Sequence, residues 1–309
     1  MKIKTCTALV LLSVLFTLKC AGAEDDDRGS PRVKLVAGPV RSEERLYRKA
    51  PEGDLYLHLF YPADWKAADA RPAIVLFFGG GWKTGSYRQM VPQAEYFASR
   101  GLVAVAADYR IESKHHTTPD KAVEDAKSAM RWVRSHAREL GIDATKIIAG
   151  GGSAGGHLAA ATALVEGFDA MEDDTSVSCR PCALVLFNPV LNLTRLPDQR
   201  TAAGTSDATD KQLSPTLHLQ KSAPPAVLFY GTADNKFRPQ GEEYAAKAKE
   251  LGVRADLYVA PSMPHGFFNR SPWTEVTAQK ADEFLASRGY LKGAPTVNVP
   301  ADAPKLEQR

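Results

Sequence analysis

Four short stretches, AIVLFF (73–78), VAVAA (103–107), ALVLF (183–187) and AVLFY (226–230), carry no charged or amide side chain from end to end. A strand with one wet face alternates apolar and polar residues, whereas a strand covered on both faces does not. Runs of this kind belong in the middle of a parallel sheet sandwiched by helices. The wider pattern predicts strands at Arg45–Lys49, Leu55–Tyr61, Ala73–Phe78, Val103–Ala107, Lys146–Ala149, Ala183–Phe187, Ala226–Tyr230 and Ala255–Val259. Helical periods fall at roughly 88–99, 119–139, 153–166, 239–251 and 274–288. Pro119-Asp120 opens the second helix and Gly141 follows it, while Gly252 closes the fourth. The alternation places the chain in the α/β class, with a mostly parallel, eight-stranded sheet. The first two strands have no helix between them, so the sheet begins with an antiparallel hairpin. One domain over 41–290 accounts for the pattern. Within it, 189–222 shows no strong period and reads as a small cap insertion. The tail, 291–309, holds Pro295, Pro300 and Pro304 and reads as loosely ordered.

The first 23 residues stand outside this scheme. Lys2 and Lys4 precede an apolar run from Ala8 to Leu18, and Ala21-Gly22-Ala23 follows as a small-residue cleavage site. That is the form of a secretory signal peptide, too short in its apolar part for a span of about 20 residues. Residues 24–40 read as a flexible lead-in, and the mature chain as secreted or periplasmic. Losing Lys2, Lys4 and Lys19 takes 39 basic residues to 36, equal to the 36 acidic ones. A balanced surface gives no reason to expect a nucleic-acid partner, and no later segment is apolar enough for stable membrane insertion. Of the four cysteines, Cys179 and Cys182 lie outside the leader, spaced CRPC. Pro181 inside the motif and a strand after it argue against a thioredoxin-like pair, and a zinc site needs two more ligands. A local disulfide is the expectation in an oxidising compartment.

The stretch IIAGGGSAGGHLAAATAL (147–164) passes from a β run through glycines to a helix, with Ser153 at the change. A serine hydroxyl attacks only when it is exposed, oriented and deprotonated by a neighbour. A sharp strand-to-helix turn provides the exposure, and Gly151 and Gly155 complete G-x-S-x-G around it. A glycine turn that merely packs a helix on a sheet is the competing reading. A phosphate loop lacks its Gly-Lys-Ser/Thr. Ala154 brings a backbone N–H behind the serine, at the positive end of the helix. The other glycine cluster, LFFGGGW (76–82), follows the third strand directly. Its amides suit a tetrahedral intermediate, which needs N–H groups at roughly 2.7–3.1 Å from its oxyanion. Gly80 and Gly81, with Ala154, are the candidate donors, and Trp82 either lines the pocket or packs beneath the loop.

Such a serine requires a general base and an acid to orient it. His265, in APSMPHGFF beyond the last predicted strand, is bracketed by Pro261, Pro264 and Gly266. His157 falls one helical turn after Ser153 and is expected to face the core, and His115 and His116 sit in a polar loop that could line the site. Asp234, in LFYGTADNKF, follows the strand ending at Tyr230. Asp256 is the alternative acid but lies inside a strand pattern, and Asp108, in ADYR, reads as a loop organiser. The order Ser153, Asp234, His265 suits the elbow chemistry. No metal ligand set or cofactor motif accompanies these residues.

FGGGW (78–82), DYR (108–110), GGSAGGHLA (152–160), GTAD (231–234) and PHGF (264–267) resemble the α/β-hydrolase superfamily. More closely they resemble its acetyl esterase/lipase group, which is hormone-sensitive-lipase-like and carbohydrate-esterase-like. The resemblance spans about residues 55–290. It implies the α/β-hydrolase fold and a carboxylic-ester hydrolase with Ser153 as nucleophile, His265 as base, Asp234 as orienter and no cofactor. It departs at one point, because the family loop usually begins with histidine and here Phe78 takes that place. The modest cap favours short acyl groups, and resemblance and compartment together point to acetylated carbohydrate. A lipase, a serine peptidase of the same fold and a catalytically silent binding protein are the alternatives.

Overall fold

A computed structural model describes residues 33–36, 40–196 and 205–309 of the chain. The leader and most of the lead-in lie outside these, as does 197–204 within the expected cap. Nine strands form one sheet among the described residues: β1 (Arg41–Ala50), β2 (Gly53–Tyr61), β3 (Arg71–Phe77), β4 (Val103–Ala107), β5 (Ile142–Gly152), β6 (Leu184–Phe187), β7 (Ala226–Gly231), β8 (Ala255–Ala260) and β9 (Glu307–Gln308). Their order is β1-β2-β4-β3-β5-β6-β7-β8-β9. Strands β4, β3 and β5 to β8 run parallel, while β1, β2 and β9 pair antiparallel at the two margins. The fully apolar runs are the buried centre, and the two leading strands make the expected hairpin. The ninth strand comes from the tail. There Arg309 N donates to Leu257 O at 2.9 Å, and Glu307 and Gln308 pair with Val259 and Tyr258. Proline density predicts a loose chain but does not register the free edge of β8 that two residues can reach.

The helices are α1 (Val91–Ser99), α2 (Glu112–His115), α3 (Pro119–Ser135), α4 (Ala154–Leu164), α5 (Asp207–Gln212), α6 (Arg238–Glu250) and α7 (Trp273–Ser287). The helix expected at 88–99 starts as a 3-10 turn, Tyr87–Met90, and α3 ends four residues before the pattern suggested. All eleven residues of α4 are buried, which the small side chains of AGGHLAAATAL permit. The described part of 189–222 holds a 3-10 turn at Leu193–Arg195, α5, and another at Pro215–His218.

Asp125 of α3 is wholly buried and binds two arginines. Arg48 of β1 reaches its Oδ1 at 2.8 Å and Arg110 its Oδ2 at 2.9 Å. Arg110 also pairs with Glu52 in the β1–β2 turn at 2.9 Å. Arg110 of the DYR stretch is therefore an anchor at the end of β4. Cys179 and Cys182 are free thiols, correcting the expected disulfide. Cys179 Sγ donates to Thr162 O at 3.5 Å, whereas Cys182 is half-buried beside Tyr290. Spacing alone does not report that the two side chains have different neighbours.

Candidate active site

The carboxyl ends of β3 to β8 share one rim, and the residues singled out in the sequence meet there. Ser153 joins β5 to α4 with φ 52° and ψ −114°, a left-handed conformation that costs a non-glycine residue on the order of 1–3 kcal/mol. Several hydrogen bonds enforce it. Ser153 N donates to Phe187 O at 2.8 Å, and its carbonyl accepts His157 N at 3.0 Å and Val190 N at 3.2 Å. Gly155 is fixed by close approach, since a Cβ there would lie 2.0 Å from Phe77 O. The strained turn thus nests against the neighbouring strand ends.

His265 Nε2 stands 2.8 Å from Ser153 Oγ, and His265 Nδ1 stands 2.7 Å from Asp234 Oδ2. A carboxylate only accepts, so Nδ1 carries the proton and Nε2 is left to take one from the hydroxyl. Asp234 is buried. Phe237 N donates to its Oδ1 at 3.2 Å, and Asn188 Nδ2 to its Oδ2 at 3.0 Å. The Phe237 ring lies 4.5 Å from the imidazole, centre to centre. The GTAD and PHGF loops are joined directly. Ala233 N donates to Met263 O at 3.0 Å and Ser262 N to Thr232 Oγ1 at 2.7 Å. At Gly231 a Cβ would fall 1.9 Å from Met263 O. The alternative acid, Asp256, sits near the start of β8 on the far edge and is engaged by Arg254 at 2.6 Å.

The glycine loop borders the serine: a Cβ at Gly79 would lie 3.2 Å from Ser153 Cβ. The amides of Gly80, Gly81 and Ala154 donate to no acceptor among the described residues. Trp82 is buried and meets His157 edge-on, with ring centres 5.1 Å apart. His157 faces inward as expected, its Nε2 donating to Leu213 O at 2.7 Å. Burial pulls its pKa down to about 4. His115, considered for the rim, is buried, and its Nδ1 accepts Ile111 N at 3.0 Å. Asn188, Phe237 and Gln89, whose Oε1 accepts Gly79 N at 2.6 Å, were not evident in the sequence. Asn188 alone left a trace, as an amide directly after a predicted strand.

The BD-FAE family model matches residues 57–247, more than half of the chain and most of the rim. The chain belongs to the BD-FAE family. It is an α/β-hydrolase of the esterase type, in the hormone-sensitive-lipase-like group. Among solved structures it is similar to Thermogutta terrifontis esterase 2 in its apo form, with 46% identity and a TM-score of 0.78, covering 82% of this chain and 96% of that one. The same relative has been solved with propionate bound, at a TM-score of 0.77, and phosphonylated by sarin. Among curated proteins it is similar to the probable carboxylic ester hydrolase LipM of Mycobacterium tuberculosis, at 32% identity over 81% of this chain. The chain spans 64% of LipM's length. It is 28% identical to carboxylesterase NlhH of the same species, over 80% of this chain and 82% of NlhH.

Proposed function

We propose that this BD-FAE member is a secreted or periplasmic serine esterase that hydrolyses short-chain, chiefly acetyl, carboxylic esters, including those of carbohydrates. The observation that carries the reading is the unbroken relay of 2.8 Å and 2.7 Å from Ser153 through His265 to Asp234. In the first step Ser153 Oγ attacks the ester carbonyl as its proton passes to His265 Nε2. Asp234 holds Nδ1–H and stabilises the imidazolium. The amides of Gly80, Gly81 and Ala154 receive the oxyanion. The ester C–O bond breaks as His265 gives that proton to the departing alcohol, leaving Ser153 acylated. His265 then takes a proton from the attacking water and returns it to Ser153 Oγ as the acid leaves.

Short acyl groups are supported by relatives. Thermogutta esterase 2 has been solved with propionate and with butyrate, and ethyl acetate hydrolase of Pseudomonas putida is 28% identical over 75% of this chain. A bulky alcohol is supported by the His265 side chain, which is 33% exposed. Secretion is supported by the charged, apolar and small-residue sequence of the leader. Acetate release from acetylated xylan, measured beside hydrolysis of p-nitrophenyl esters from acetyl to palmitoyl, tests the substrate. A rate that rises with acyl length would refute it. Ser153→Ala should reduce turnover by about 10⁴-fold or more and abolish labelling by paraoxon. Full activity in that variant would remove Ser153 from the mechanism.

A further inference from the structure

The amides of Gly80 and Gly81 can serve the reaction only if they are held still, and the hydrocarbon ring of Phe78 offers the loop no hydrogen bond. The loop is nevertheless tied down one peptide plane at a time. In the plane that joins Phe78 to Gly79, the carbonyl accepts from Tyr109 OH at 2.8 Å and the N–H donates to Gln89 Oε1 at 2.6 Å. The Tyr109 ring stacks on Phe78 at 4.1 Å, keeping its hydroxyl under that carbonyl. In the plane that joins Gly80 to Gly81, the carbonyl accepts Lys83 N and Thr84 N, both at 3.1 Å. Because peptide planes are rigid, the N–H of Gly81 is fixed by the bonds on its neighbour's carbonyl. The N–H of Gly80 belongs to the plane between these two clamped ones.

We infer that Gln89 is a positioning residue for the oxyanion site: with Tyr109 it clamps the Phe78–Gly79 peptide from both ends and so aims the amide of Gly80. A donor N–H demands an oxygen, so the carboxamide can be oriented only one way. The clamp stands beside the serine. A Cβ built on Gly79 would lie 3.3 Å from Gln89 Oε1, 3.2 Å from Ser153 Cβ and 2.9 Å from Gly152 O. The inference rests on the reading of Gly80 and Gly81 as oxyanion donors.

Gln89→Met keeps the length of the side chain and removes the acceptor, and Tyr109→Phe removes only the hydroxyl. The full chain is compared in three readouts: kcat and KM on p-nitrophenyl acetate, melting temperature, and hydrogen exchange over residues 78–82. Losing a complete oxyanion donor costs about 10²–10³ in kcat, so loosening one should cost about 10- to 100-fold. For Gln89→Met we expect that loss in kcat with KM within about twofold, and faster exchange at Gly79. Tyr109→Phe should likewise lower kcat and speed exchange at Gly79. The double variant should be less than multiplicative, since both groups hold one peptide. A kcat within twofold of wild type, or a loss carried by KM with exchange at Gly79 unchanged, would overturn the clamp. Exchange reports on the clamp whether or not Ser153 is the nucleophile, and paraoxon labelling of wild type tests the nucleophile alone.

Discussion

At Asp234 one oxygen, Oδ2, accepts both His265 Nδ1 and Asn188 Nδ2. Asn188 is fully buried and holds a left-handed φ of 45°, which asparagine tolerates better than most residues. Its amide fixes the position of the carboxylate. Without it, the carboxylate that orients His265 loses one of the groups that hold it in place. In Asn188→Ala kcat/KM should therefore fall by about 2- to 10-fold, matching the loss of a neutral hydrogen bond of about 0.5–1.5 kcal/mol. An unchanged kcat/KM would mean Asn188 only fills space. The triad was legible because each member follows a strand in a turn rich in glycine or proline. Asn188 and Gln89 were not, because each acts through a partner, 46 and 10 residues away, that no local motif encodes.

Helix α4 carries its own pH sensitivity. His157 is fully buried, and burial lowers its pKa from 6.5 to about 4. Between those values the unfolded chain takes up a proton that the folded chain refuses. Stability is thus complete above pH 6.5, falls as pH drops, and by pH 4 has lost about 3 kcal/mol from this group. Urea titrations of wild type and His157→Gln at pH 7 and pH 4.5 measure it: the variant should show the smaller loss on acidification. Close packing makes a second demand on this helix. Gly155→Ala places a carbon against Phe77 O and should cost about 3 kcal/mol or displace Ser153. Gly81→Ala meets no atom within 4 Å at its φ of +65°, so it should cost only about 1 kcal/mol. The sequence announced α4 through alanine and glycine, but the contact with Phe77 depends on β3 lying next to β5, which chain order does not state.

Over the whole molecule, the Arg48–Asp125–Arg110 cluster ties the leading hairpin to α3 and to the end of β4. Asp125→Ala leaves two buried cations without their shared anion and should cost about 3–5 kcal/mol in urea unfolding. At the opposite margin, β9 covers part of β8. Deleting 292–309 bares that ladder, and light scattering should then detect self-association. A truncated chain as monodisperse as the parent would end that expectation. The central strands were readable since unbroken apolar runs tolerate no other placement, whereas the margins depend on pairings that hydropathy does not mark. The seam between the GTAD and PHGF loops, at Ala233–Met263 and Thr232–Ser262, has a mechanical result. Carboxylate and imidazole sit on two loops bonded to each other, and the hydroxyl on a separate turn. The Ser153 Oγ–His265 Nε2 contact of 2.8 Å is then the one place where the relay passes from the paired loops to the elbow.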